Sequence, residues 1–305
     1  MNVTTLEIEL PDGPIVLPYV SVQGNQPGPH LTVIAGVHGT EYTSIAAARE
    51  FARSLDAAQL RGRVTVAPLI NPLAFWARTP FVVPTDGKNL NRSFPGAPDG
   101  TAAEVIAHHV TRAFIEPTDY LLDLHAGDLP EALEPFALYD ESPVEAASRD
   151  LALAYGLPHV VRQTRSQRTV GGTTSAVSAD LGKPAITAES GQNGILDRPS
   201  VDRHLAGLAG VCAHLGIMAG TVRRAPGLRE YEGWNWLRTP VAGWWEPAVT
   251  VGADVAAGGL IGVVTDVLGE HRHEVHAPVD GVPLFITSSP AVEADGLLIG
   301  IASIR

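Results

Sequence analysis

The chain has 305 residues, 45% hydrophobic and 18% charged, with a mean hydropathy of +0.10, a balance that suits a packed globular protein and argues against long disordered segments. A formal net charge of −12 and the lack of any lysine-arginine run leave nothing to draw nucleic acid or an anionic membrane surface. With Cys212 as the one cysteine, an intrachain disulfide and a cysteine-based zinc site are both excluded.

The first residues, Met1-Asn2-Val3-Thr4-Thr5, lack a basic region followed by an apolar run, and no long apolar stretch follows elsewhere. The expectation is a cytoplasmic protein acting on a small molecule; whether it forms a homo-oligomer stays open. Apolar runs rich in Val, Ile and Leu predict strands over 31–35, 64–70, 120–124, 136–139, 159–162 and 185–188. Between them, helical patterns cover 43–54, 102–114, 143–155 and 201–215. Strands alternating with helices predict an α/β domain over residues 1–225 with a mostly parallel central sheet flanked by helices. Cys212 falls in the last of these helices and is expected to pack in the core.

From 226 to 305 the pattern changes to short strand-like pieces separated by Gly, Pro and Asp. A small all-β domain is expected there, with phrases that resemble the barrel-sandwich hybrid of biotinyl and lipoyl carriers. Carriers bear their cofactor on a lysine, and no lysine follows Arg238, so a structural or site-covering role is expected instead. Trp234, Trp236, Trp244 and Trp245 straddle the boundary and are expected to be buried between the two parts, with pocket lining as the alternative. His271, His273 and His276 are interleaved with Arg272 and Glu274, and a solvated hairpin is favoured over a metal cluster.

Chemistry concentrates where predicted strands end. His38 and Glu41 stand three residues apart just beyond the strand at 31–35, so one turn can aim both at one point. Imidazole and carboxylate are ordinary zinc ligands, and a catalytic zinc takes three protein ligands. His125, after the strand at 120–124, supplies a third, and Asp123, two residues earlier on the same strand face, can orient an imidazole. Glu189 ends the strand at 185–188 and is followed by residues suited to a tight turn. Open α/β sheets place their sites at these carboxyl ends. Asn91 and Arg92 lie in a polar loop, where a guanidinium can grip a carboxylate through two parallel hydrogen bonds or tie the loop together.

His38-Gly39-Thr40-Glu41, the run from Asn71-Pro72-Leu73-Ala74 through Asp86 to Gly96, Asp123-Leu124-His125 and Ala188-Glu189-Ser190-Gly191 occur in an order that resembles the succinylglutamate desuccinylase and aspartoacylase family. That family is a branch of the zinc carboxypeptidase superfamily, so the resemblance implies a zinc-carboxypeptidase-like fold and one Zn2+ per chain. It further implies that Glu189 is the catalytic base and that Asn91 and Arg92 bind the substrate carboxylate. Family members carry another arginine that polarises the scissile carbonyl; Arg78 is the one available in that stretch and lies farther upstream than the pattern asks. The function implied is hydrolysis of the amide of an N-acyl amino acid or a similar small carboxylate-bearing amide. A zinc carboxypeptidase acting on short peptides and a non-catalytic binding protein are the alternatives.

Overall fold

The computed structural model describes residues 2–166 and 172–303. Its strands up to residue 231 are β1 (Val3–Ile8), β2 (Ile15–Gln23), β3 (Gln26–Ala35), β4 (Arg61–Ala67), β5 (Tyr120–His125), β6 (Glu131–Leu133), β7 (Phe136–Asp140), β8 (His159–Gln163), β9 (Ala185–Glu189) and β10 (Arg229–Tyr231). All but β6 form one nine-stranded sheet in the order β1-β2-β4-β3-β5-β9-β7-β8-β10. The sheet is mixed but mostly parallel, five of its eight pairings being parallel. Its centre, β4-β3-β5-β9, is parallel, but β7 runs antiparallel to β9, and the hairpin β1-β2 joins β4 antiparallel.

Helices cover both faces: α1 (Tyr42–Ser54), α4 (Glu145–Tyr155) and α6 (Arg198–His214) on one, α3 (Ala102–Val110) with the shorter α2 (Pro72–Ala77) and α5 (Thr174–Asp180) on the other. Helix α6 starts where Asp197 accepts a hydrogen bond from the Ser200 N–H at 2.9 Å, with proline in its first turn, and α4 ends at Gly156, whose φ of 80° suits glycine. Between helices and sheet, Leu122, Leu124 and Ile186 pack with Phe51, Leu151 and Leu208, and each such buried side chain contributes about 1.5–3 kcal/mol. Cys212 lies in the same core, as its helical setting predicts, and burial pushes its thiol up to about 12.

The chain continues with β11 (Gly233–Arg238), β12 (Gly243–Pro247), β13 (Leu260–Thr265), β14 (His273–His276), β15 (Gly281–Thr287), β16 (Ala291–Val292) and β17 (Leu297–Ser303), with no helix among the described residues. They form two four-stranded antiparallel sheets, β11-β17-β15-β6 and β14-β13-β12-β16, packed over Trp245, Ile261, Val264, Ile286, Leu298 and Ile301. The two parts of the chain exchange strands. β6 follows His125 by six residues yet pairs with β15, while β10 lies beyond residue 225 yet pairs with β8. Among the described residues no helix is long and apolar enough to cross a membrane.

His159 on β8 receives a hydrogen bond at 2.8 Å between its Nδ1 and the Tyr231 hydroxyl of β10. Burial, helped by Arg229, lowers its pKa to about 4 from the ordinary 6.5. Because the folded state holds this ring neutral, the stability it confers is complete above about 6.5 and is lost as the pH falls toward about 4. Thermal melts of wild type and His159→Asn should therefore diverge less at pH 4.5 than at pH 7.5; an unchanged gap would remove His159 from the acid sensitivity of the fold.

Candidate active site

The parallel centre of the sheet sends the ends of β3, β5 and β9 to one edge, and the predicted residues gather there. His38 and Glu41 lie in the short connection from β3 to α1, His125 ends β5 and Glu189 ends β9. Gly39 lets this connection lie flat on α2: a Cβ there would sit 2.2 Å from the Phe75 backbone nitrogen. His125 and Glu189 are register partners across β5 and β9, so their side chains share one face.

His38 Nδ1 stands 2.6 Å from Glu41 Oε1, and His125 Nδ1 stands 3.0 Å from Glu41 Oε2. The ligand atoms of these three residues all lie within 4.8 Å of one another. The far nitrogen of each ring is held by an oxygen: His38 Nε2 by Asn89 Oδ1 at 3.1 Å, His125 Nε2 by Asp123 Oδ2 at 2.9 Å. Placing a proton on each Nε2 leaves both Nδ1 lone pairs directed at the shared point, which is how orienting partners prepare histidine ligands. Asp123 also accepts a hydrogen bond from the Thr174 hydroxyl, and the Ala126 N–H donates to Glu41 Oε2 at 3.1 Å. Burial pushes Glu41 upward, but His125 and His38 outweigh it and hold the carboxyl at about 2. His125 is pulled down by burial yet ends well above its ordinary value because Asp123 and Glu41 favour its cation. A buried cluster with two imidazoles and a carboxylate thus prefers positive charge at its centre, and the donor set fits a zinc ion.

These residues line a cavity of about 810 Å³ together with Glu189, Asn91 and Arg92. Glu189 Oε2 is buried without a hydrogen-bond partner among the described residues. Desolvation raises this carboxyl to about 8, with Glu41 and Asp123 adding to the rise and His125 opposing it. Asn91 and Arg92 sit on a tight turn whose preceding residue, Asn89, accepts the Asn91 N–H at 2.8 Å. The Asn91 amide oxygen accepts the Thr174 N–H at 3.2 Å, leaving its NH2 group as donor. The exposed Arg92 lines the cavity, and its guanidinium donates to the Asn91 carbonyl at 2.7 Å. Its pKa is lowered by desolvation, against which Glu131 acts.

Arg78 is the predicted residue that the fold does not bring in. It is exposed at the end of α2 with a left-handed φ of 54°, and it does not line the cavity. Trp234 and Trp236 do line it; Trp245 packs inside the small sheets and Trp244 is exposed. His271 lies in an exposed turn beside Asp266 and Glu270, and His276 pairs with Glu274 at 3.2 Å, so the three C-terminal histidines do not converge.

Three polar residues escaped the sequence reading. Asn89 orients His38. Asp128 takes the Thr40 hydroxyl and, at 2.8 Å, the N–H of Phe81, whose φ of 61° is held in the left-handed region beside His38. Glu131 lines the cavity and accepts the Asp128 N–H at 2.7 Å; burial raises its pKa well above the ordinary range, with Glu41, Asp128 and Glu189 adding to the rise.

Known proteins share the sequence pattern and the fold. Residues 27–215 match the model of the succinylglutamate desuccinylase/aspartoacylase catalytic domain. The N-alpha-acetyl-L-2,4-diaminobutyric acid deacetylase of Halomonas elongata is 30% identical over 281 residues, 88% of this chain and 80% of the relative. Among solved structures, the product-bound ectoine utilization protein EutE (DoeB) of Ruegeria pomeroyi superposes with a TM-score of 0.87 at 25% identity, covering 99% of this chain and 95% of that one. The fold is shared as well with a succinylglutamate desuccinylase/aspartoacylase of Rhodobacter sphaeroides, at a TM-score of 0.88 and 23% identity over 100% of this chain and 95% of that one. With a family match across most of the sheet that carries the cavity, and a relative of this identity along most of its length, the chain belongs to the succinylglutamate desuccinylase/aspartoacylase family.

Proposed function

We propose that this protein is a zinc-dependent hydrolase that removes the acyl group of an N-acyl amino acid, with His38, Glu41 and His125 holding one Zn2+. The observation that carries the reading is the convergence of those three ligand atoms in the cavity that also holds the Arg92 guanidinium and a Glu189 oxygen with no partner among the described residues. When bound, zinc supplies Lewis acidity and lowers the pKa of a water toward about 7. Glu189 takes the proton of the attacking water and delivers it to the departing nitrogen. Asn89 and Asp123 keep both imidazoles in the tautomer that offers Nδ1. Arg92, with the Asn91 amide, grips the carboxylate of the amino acid and sets the scissile bond in place. The C-terminal sheet walls one side of the cavity, which favours a small amide over a peptide. The substrate of the Halomonas elongata relative, itself an N-acetyl amino acid, supports the same reaction class.

The test is metal analysis of the purified protein beside a screen of N-acetyl, N-succinyl and other N-acyl amino acids and short peptides. The expected result is about one zinc per chain and hydrolysis of an N-acyl amino acid in preference to peptides. No bound metal, with no hydrolysis even after zinc is added, would sink the proposal.

A further inference from the structure

The cavity has an aromatic side that the proposed chemistry does not use. Phe136 on β7 is the register partner of Glu189 on β9, so its ring rises from the sheet immediately beside that carboxylate. From there aromatic rings follow one another onto the C-terminal sheet. Phe136 lies 5.1 Å from Trp234, Trp234 lies 4.9 Å from Trp236, and Trp236 lies 5.5 Å from Phe285, the distances being between ring centres. All four line the cavity. Room for the two indoles is made at Gly300 on β17, where a Cβ would come within 2.4 Å of the Trp234 ring and 3.1 Å of the Trp236 ring.

Packing between two sheets accounts for Trp234, which is 2% exposed, but not for Trp236, which stays half-buried with its accessible surface toward the cavity. An apolar ring surface that begins beside a catalytic carboxylate is a place where bound substrate displaces water from both partners. A substrate no larger than an N-acetylated small polar amino acid would leave most of a cavity of about 810 Å³ unfilled and this surface wet.

Resting on the deacylase reading above, we propose that the wall from Phe136 to Phe285 is a specificity subsite for a flat apolar group, and that the substrates are N-acyl amino acids bearing an aromatic or comparably broad apolar substituent. Arg92 holds the carboxylate while the ring lies against Trp236. The ring can belong to the acyl half or the amino-acid half, and substrates of each kind separate the two.

The experiment measures kcat/KM of the zinc-loaded enzyme for N-acetylglycine, N-acetyl-L-aspartate, N-acetyl-L-phenylalanine and N-benzoylglycine. At least one aromatic substrate should exceed both small ones by about tenfold or more. Trp236→Leu should collapse that ratio by about the same factor, while Trp244→Phe, at an exposed indole away from the cavity, should leave it unchanged. Should Trp236→Leu fail to fold, Glu189→Gln provides a second readout. Its tryptophan fluorescence should respond to N-benzoylglycine or N-acetyl-L-phenylalanine at concentrations about tenfold below those needed for N-acetylglycine. Equal efficiency on small polar and aromatic substrates would overturn the subsite and leave the deacylase reading standing. Hydrolysis of no N-acyl amino acid would overturn both.

Discussion

Glu189→Gln should lower kcat by roughly 10²–10⁴-fold while the purified protein keeps its zinc. Glutamine preserves the shape and volume of the side chain at the end of β9, so the row from His125 through Glu189 to Phe136 is undisturbed. It removes the function proposed for this position, carrying a proton. The carboxylate is not among the converging ligand atoms, its Oε2 has no hydrogen-bond partner among the described residues, and desolvation has already raised it to about 8. A group so placed moves toward neutrality on taking a proton from water, which suits a base that must later act as an acid. Because glutamine keeps the shape of a carboxyl that desolvation already drives toward its neutral form, the melting temperature should not fall, which separates lost chemistry from lost structure. Wild-type turnover in this variant would remove Glu189 from the mechanism.

Arg92→Leu should weaken kcat/KM by roughly 30- to 1000-fold, about 2–4 kcal/mol, with most of the change in KM. The guanidinium lines the cavity beside the Asn91 amide, with that of Arg238 also on the cavity wall, and its planar fork matches a carboxylate through two parallel hydrogen bonds. Arg92→Lys should recover only part of the loss, since an ammonium cannot reproduce two parallel hydrogen bonds. The same substrate with its carboxylate converted to a primary amide should be insensitive to the substitution. Equal losses on both compounds would mean that Arg92 supports the loop rather than the substrate.

The sequence spoke most clearly where apolar runs end in polar residues. His38, Glu41, His125 and Glu189 each follow a short run rich in Val, Ile, Leu or Ala, and a parallel sheet collects such ends at one edge. The Asp123 contact with His125 was equally legible, because residues two apart on a strand share a face. Residues on loops were harder. Nothing local says that Asn89 reaches His38, fifty-one positions away, although an Asn before a tight turn is a capping signal in itself. Arg78 was misplaced because a run of loop residues does not fix the direction of its side chains; here left-handed backbone at Arg78 and Phe81 turns the chain so that Phe81 faces His38 and Arg78 faces solvent. The hairpin β1-β2 went unread because β1 is mostly exposed and β2 carries a proline, which blurs the alternation. Helix α5, seven residues of Thr, Ser, Ala, Val and Asp, has no apolar stripe to betray it.

The strand exchange has a thermodynamic consequence. Opening the C-terminal sheets would strip β6 of its partner six residues beyond His125, and opening the nine-stranded sheet would release β10 beneath β11. Neither part can melt while the other keeps its full hydrogen bonding, so the two are welded into one cooperative unit. The proposed chemistry and the proposed selectivity belong to different stretches of the chain, yet they stand or fall at a single temperature.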